Sequence, residues 1–149
     1  MHKLISSCFG IGYIGKGAGT VAATATCLVW YFVLLFEPEH ILATILVTAL
    51  LTLQGIRSAN VVEADWGKDH QRVVIDEVAG MCVTLLFVPV DFRYIFVGLV
   101  LFRFFDIVKP FYIKKLEHLP GGLGVMADDL LAGIYANSCL QLLIYFGLF

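Results

Sequence analysis

Residues 20–36 read TVAATATCLVWYFVLLF and residues 41–56 read ILATILVTALLTLQGI, with only Glu37, Pro38, Glu39 and His40 between them. The first run is uncharged and sits near the lower limit of about 17–25 residues for a membrane-spanning helix. Its only polar-tipped aromatics are Trp30 and Tyr31. The two runs together predict a helical hairpin. Composition agrees: 60% of the residues are hydrophobic and 15% charged, and the mean hydropathy is +0.89. Soluble domains usually hold about 45–50% and about 25%. The chain therefore reads as a membrane protein, and its 149 residues suit a single domain, 1–149. The amino-terminal MHKLISSCFGIGYIGKGAGT lacks the apolar stretch and cleavage site of a signal peptide and is read as part of the mature protein.

Beyond the hairpin, residues 57–72 form a polar bridge whose first half can continue the preceding helix, with Gly67 expected to end that helix. A third apolar segment, 73–90, carries Asp76 and Glu77 near its start and Pro89 near its end. A fourth runs from about 94 to 105. Residues 109–120 suit a short interfacial helix. Leu130 to Phe149 supply a terminal helix. The expected fold is all-α, a membrane-embedded bundle of about four to five apolar helices, with the third and fourth re-entrant or buried against the others. Basic residues favour the cytoplasmic side of short loops. An inside amino terminus with Lys3 and Lys16 then puts Arg57, Lys68, Arg72 and the stretch from Arg103 to Lys115 inside as well, with Arg93 a mild exception. Every polar motif falls on that cytoplasmic face.

Ten basic against twelve acidic residues give a formal charge of -2, which excludes an electrostatic grip on nucleic acid. Cys8, Cys27, Cys82 and Cys139 are scattered through apolar sequence and suggest neither a disulfide framework nor a zinc site. The acids are more informative. A charge at the centre of a membrane helix costs about 2.5–3.5 kcal/mol even on permissive scales. Asp76, Glu77, Asp106, Asp128 and Asp129 nonetheless lie in or beside apolar sequence on three segments. Such oxygen donors suit a hard cation such as Mg²⁺. Adjacent helical residues point about 100° apart, so each acidic pair is expected to send one member to the metal. The plainer alternative makes Asp128 the N-cap of the last helix and Asp129 a favourable first-turn charge.

Arg103, Asp106 and Lys109 are spaced three apart, which suits either a local ion pair or a grip on an anionic substrate group. Glycine tilts the choice towards the second. Five glycines fall in GIGYIGKGAGT (10–20) and three in GGLG (121–124), both expected to lead into helices whose free N–H groups form phosphate sites. Gly10, Gly12 and Gly15 also match G-x-G-x-x-G, but without the strand that a dinucleotide fold requires. Gly10 to Lys16 imitates a P-loop, except that Gly17 stands where Ser or Thr is needed.

GIGYIGKGAGT, RVVIDEVAGM, FRFFDIVKP and GGLGVMADDLLAGI together resemble, in order and spacing, the motifs of the phosphatidylglycerophosphatase A family over nearly the whole chain. The resemblance implies an all-α, Mg²⁺-dependent enzyme of the bacterial inner membrane that hydrolyses phosphatidylglycerophosphate to phosphatidylglycerol and inorganic phosphate. Ala18 and Tyr112 stand where the family usually has proline, which bears on loop shape.

Other phosphatase chemistries are not supported. No cysteine has an arginine six positions later, and there is no D-x-D. A metal-activated water is the most economical nucleophile, with an aspartyl-phosphate as the alternative. The resulting assignment places Asp76, Glu77, Asp128 and Asp129 on Mg²⁺ or around it, and makes Asp106 a further ligand or the general base. Arg103 and Lys109 bind phosphate, helped by Thr20, Gly19, Gly121 and Gly122. Asp69 and His70 are weaker acid–base candidates. The competing readings are a non-enzymatic membrane scaffold or cation-binding protein, and a phosphatase for a soluble phosphomonoester.

Overall fold

An apolar chain in an apolar solvent has to satisfy its backbone hydrogen bonds internally, and a helix does so within one segment. The computed structural model, which describes residues 1–36, 41–67 and 70–148, is helical, with no strand among them. The order is α1 (His2–Ser6), a 3₁₀ turn (Ile11–Ile14), α2 (Ala18–Phe36), α3 (Ile41–Trp66), α4 (Ile75–Leu85), α5 (Phe92–Val108), α6 (Ile113–Leu116) and α7 (Gly121–Tyr145). The expected hairpin turn at Glu37 to His40 lies outside the described residues, as do Lys68 and Asp69.

Among the described residues, α2 and α3 are long and apolar enough to cross a membrane. Only 28% and 17% of their apolar windows are buried within the protein, the reverse of a soluble core helix. Leu28, Val29, Phe32 and Val33 face outward from α2, and Leu42, Leu46, Leu50 and Leu53 from α3. Gly67 ends α3 as expected, at φ +88°, with its N–H donating to the Glu63 carbonyl at 2.9 Å.

Two expectations are corrected and one is met. The third apolar segment does not span, in line with its expected re-entrant or buried placement: α4 has eleven residues, about 17 Å at 1.5 Å per residue, against about 30 Å of hydrocarbon. It stops inside the bundle because α7 satisfies its terminal carbonyls. Asn137 Nδ2 donates to the Thr84 and Leu86 oxygens at 2.8 Å each, and Gln141 Nε2 to the Phe87 oxygen at 3.1 Å. The interfacial helix expected over 109–120 is a single turn, α6. The terminal helix begins at Gly121 rather than Leu130, so GGLG is its first turn and Asp128 lies two turns inside it rather than at its N-cap. Those glycines let α7 meet its neighbours: a methyl group on Gly122 would strike the Ile56 carbonyl of α3, and one on Gly124 the Leu119 carbonyl.

The core centres on α4, which packs against α2, α3, α5 and α7. Ala23, Cys27, Met81, Cys82, Leu85, Phe102, Ala132 and Ala136 fill it. α4 and α7 approach each other closely at Gly80 and Gly133. A methyl on Gly133 would collide with the Gly80 carbonyl oxygen, and one on Gly80 would lie 2.7 Å from the Asp129 oxygen and 2.6 Å from the Phe102 ring. Asp76 and Asp129 each lie four residues, about one turn, before one of these glycines, so the crossing brings the two acids together. Gly133→Ala is expected to force the helices apart and cost about 1–3 kcal/mol, as overpacking does. Thermal unfolding in detergent would show this as a lowered Tm.

Candidate active site

α4 opens with Asp76 and Glu77 in its first turn, where the positive end of the helix favours negative charge. Asp129 reaches the same point from α7, and one oxygen from each of the three lies within 4.8 Å of the others. Both members of the α4 pair converge here, because the longer Glu77 side chain makes up for the angle between neighbours. The α7 pair divides, with Asp129 in the cluster and Asp128 turned towards Lys109. Asp76 Oδ1 and Glu77 Oε2 are buried and accept no hydrogen bond. Anionic oxygens this close, shielded from water and short of donors, repel one another. An oxygen-seeking divalent cation would relieve that repulsion, so the donor set fits Mg²⁺.

Cationic side chains close the other side. Arg103 Nη1 stands 2.6 Å from Asp106 Oδ2, one turn along α5, and 3.9 Å from Glu77 Oε1 on α4. The local pair expected from the spacing is therefore extended to a second helix. The contact is Coulombic, since neither Nε nor Nη1 of Arg103 donates an aligned hydrogen bond. Gly19, at the start of α2, leaves room for this pair: a methyl there would strike Glu77 Oε1 and lie 3.2 Å from Arg103 Nη1.

Lys109 ends α5 in the left-handed conformation, φ 46° and ψ 52°. Its Nζ donates to Asp128 Oδ2 and to Glu117 Oε1, at 2.6 Å each. Burial is the largest influence on this ammonium and acts to lower its pKa. The hydrogen bonds and charges of Asp128 and Glu117 together outweigh burial, and the pKa is raised. The hydrogen bond from Lys109 in turn holds Glu117 below its ordinary carboxylate value.

These groups line one cavity of about 250 Å³, where α2 and α4 begin and α5 ends. Asp76, Glu77, Asp106, Asp128, Asp129, Arg103, Lys109 and Gly19 all contribute to its wall. Three other predicted residues do not. Thr20 is exposed, and its carbonyl accepts from the Thr24 hydroxyl at 2.7 Å. Gly121 and Gly122 pack on α3, where the Gly122 N–H donates to Asn60 Oδ1 at 2.6 Å. His70 lines the cavity, while Asp69 lies outside the described residues. Sequence reasoning did not assign Lys16 or Gln71, which also line it, or Glu117. Lys16 within the glycine loop was the available signal. Gln71 and Glu117 carried none.

Fold and site define a helical protein with an apolar outer surface and an acidic, cation-ready cavity that also offers basic groups to an anion. The chain belongs to the phosphatidylglycerophosphatase A family, whose pattern it matches over residues 4–144. That is a family of phosphoric monoester hydrolases. A Bacteroides thetaiotaomicron protein provisionally named a phosphatidylinositol-3-phosphatase is 42% identical over 139 residues, covering 89% of this chain and 87% of its own. Proteins named phosphatidylglycerophosphatase A are 37% identical in Haemophilus influenzae (89% of this chain, 82% of that one) and 30% in Escherichia coli (92% and 80%). No solved structure matches the chain.

Arg103→Met would leave Glu77 and Asp106 facing Asp129 without their cation. Breaking a buried pair from one side costs about 3–5 kcal/mol, and the slight solvent access here puts the expected loss at the lower end. Adding Asp106→Asn should recover part of it, with a coupling of about 0.5–3 kcal/mol in a double-mutant unfolding cycle.

Proposed function

We propose that this protein is a membrane-embedded lipid phosphatase that hydrolyses phosphatidylglycerophosphate to phosphatidylglycerol and inorganic phosphate, with Mg²⁺ as cofactor. The observation that carries the reading is the meeting of Asp76, Glu77 and Asp129, two of them with buried unpartnered oxygens, in a cavity also walled by Arg103 and Lys109. The family and the two relatives named for this reaction support the substrate.

Asp76, Glu77 and Asp129 would hold the cation, which when bound supplies Lewis-acid polarisation of the phosphate and a lowered pKa for the attacking water. The chain's own residues do the rest. Arg103, with its unaligned donors, binds non-bridging phosphate oxygens. Asp106 takes the proton of the attacking water or completes the ligand set. Asp128 holds Lys109 at the cavity wall. The Gly15–Gly19 loop lets a phosphate approach the backbone at the start of α2. In this reading the chain crosses a bacterial inner membrane several times as one domain, α5 and α7 complete a bundle of four to five apolar helices, and the cavity faces the cytoplasm. The acyl chains stay in the bilayer beside the helices. The distribution of basic residues supports this side for the cavity, and the outward apolar faces of α2 and α3 support the membrane.

A second reading keeps the site and changes the headgroup to a phosphatidylinositol 3-phosphate. It is favoured by the 42% identity to the Bacteroides relative.

The test is phosphate release by purified protein in detergent from phosphatidylglycerophosphate, phosphatidylinositol 3-phosphate and glycerol 3-phosphate, with Mg²⁺ and after chelation. Release from phosphatidylglycerophosphate is expected, abolished by chelator and restored by Mg²⁺. Asp76→Asn and Asp129→Asn should each lower kcat by about a hundredfold or more, because each removes a proposed ligand of the cation that activates water. Preference for the inositol lipid would establish the second reading, and turnover of glycerol phosphate alone would overturn both. No turnover by folded protein would make the acidic cluster that of a scaffold or cation-binding protein.

A further inference from the structure

We propose that Glu117 is an exchangeable counter-ion for Lys109, occupying the ammonium until phosphate arrives and reclaiming it as phosphate leaves. The proposal rests on the reading of the cavity as a phosphate site. It concerns what governs affinity and release there.

Lys109 Nζ lies 2.6 Å from a carboxylate oxygen on each side, so as it stands the ammonium is more than neutralised. It has no net positive charge to offer a phosphate dianion unless one acid lets go. The two acids are not equivalent. The Asp128 side chain is 7% exposed and sits two turns inside the 25-residue α7. The Glu117 side chain is 32% exposed and follows α6, a single turn of four residues. Water competes for Glu117, and partly exposed pairs are worth little. Glu117 is therefore the partner that can be displaced and Asp128 the one that stays.

Displacement would not set Lys109 adrift. Its backbone N–H donates to the Phe105 carbonyl at 2.8 Å, and its Nζ keeps the hydrogen bond to Asp128 Oδ2 at 2.6 Å, both independently of Glu117. Lys109 lines the cavity and Glu117 does not, so Glu117 acts through the lysine as a positioning residue. An arriving phosphate exchanges one ionic partner of Lys109 for another of higher charge. The competing carboxylate lowers apparent phosphate affinity by the fraction of time it holds the ammonium. In a hydrolase that releases phosphate, this assists product departure.

The experiment measures binding of inorganic phosphate to the full-length protein in detergent with Mg²⁺ present by calorimetry, beside KM and kcat, for wild type, Glu117→Gln and Glu117→Asp. Glutamine keeps an oxygen near Lys109 and removes the charge. Its phosphate Kd is expected to fall about three- to tenfold, since the competing state is lost, with KM falling in parallel and kcat reduced by slower release. Aspartate restores the charge and should return Kd towards wild type. A merely structural glutamate would have the opposite sign, because loosening the site weakens phosphate. An unchanged or raised Kd in Glu117→Gln, in a wild type that binds phosphate and turns over, overturns the proposal alone. A wild type that neither binds phosphate nor hydrolyses any ester overturns the phosphatase reading and this inference with it.

Discussion

Everything at the site depends on how closely α4 and α7 approach. Gly80 and Gly133 face each other with no room for a methyl group on either, and the Phe102 ring seals the contact from the α5 side. Interiors are packed too densely for such a crossing to shift without cost. Because Asp76 and Asp129 stand one turn from the contact, the backbone separation of two helices sets the separation of two carboxylates. Side chains with larger volume at either glycine would hold the acids apart, and the cation-ready cluster would not form.

That cluster creates an electrostatic demand which the surrounding residues meet only in part. The cavity wall carries five carboxylates against three cationic side chains, Lys16, Arg103 and Lys109. Arg103 is shared between Asp106 and Glu77, and Lys109 between Asp128 and Glu117. An anionic phosphate entering such a cavity meets net repulsion unless a cation enters too. In the proposed function, metal and phosphate would be bound together, each offsetting the charge of the other.

The outer surface suits a substrate that remains in a bilayer. α5 buries Ile95, Gly98, Phe102 and Asp106 on one face and exposes Phe92, Phe96, Val100, Phe104 and Ile107 on the other. One helix thus carries an apolar outer stripe and, at its inner end, Arg103, Asp106 and Lys109. Phe111 and Tyr112, just past Lys109, are also exposed. The polar chemistry and the apolar surface come within one turn of each other, as cleavage of a headgroup beside its own acyl chains requires.

The sequence by itself determined that the chain is helical and membrane-like, since uncharged runs of such length leave no other way to satisfy the backbone. It also singled out Asp76, Glu77, Asp106, Asp128 and Asp129, because carboxylates are costly in apolar surroundings and call for a partner, and all five line one cavity. Helix limits were less legible. Pro89 and the glycines of GGLG looked like signals of local conformation, whereas Asn137 and Gln141 decide where α4 ends, contact with α3 explains Gly122, and contact with the Leu119 carbonyl explains Gly124. Tertiary structure alone decided that Gly121, Gly122 and Thr20 stand away from the cavity while Lys16 and Gln71 line it. It alone gave Lys109 its two acidic partners, Asp128 nineteen residues away and Glu117 eight. Periodicity reports which residues share a face of one helix. Which faces of different helices meet depends on packing at glycines whose role no local pattern announces.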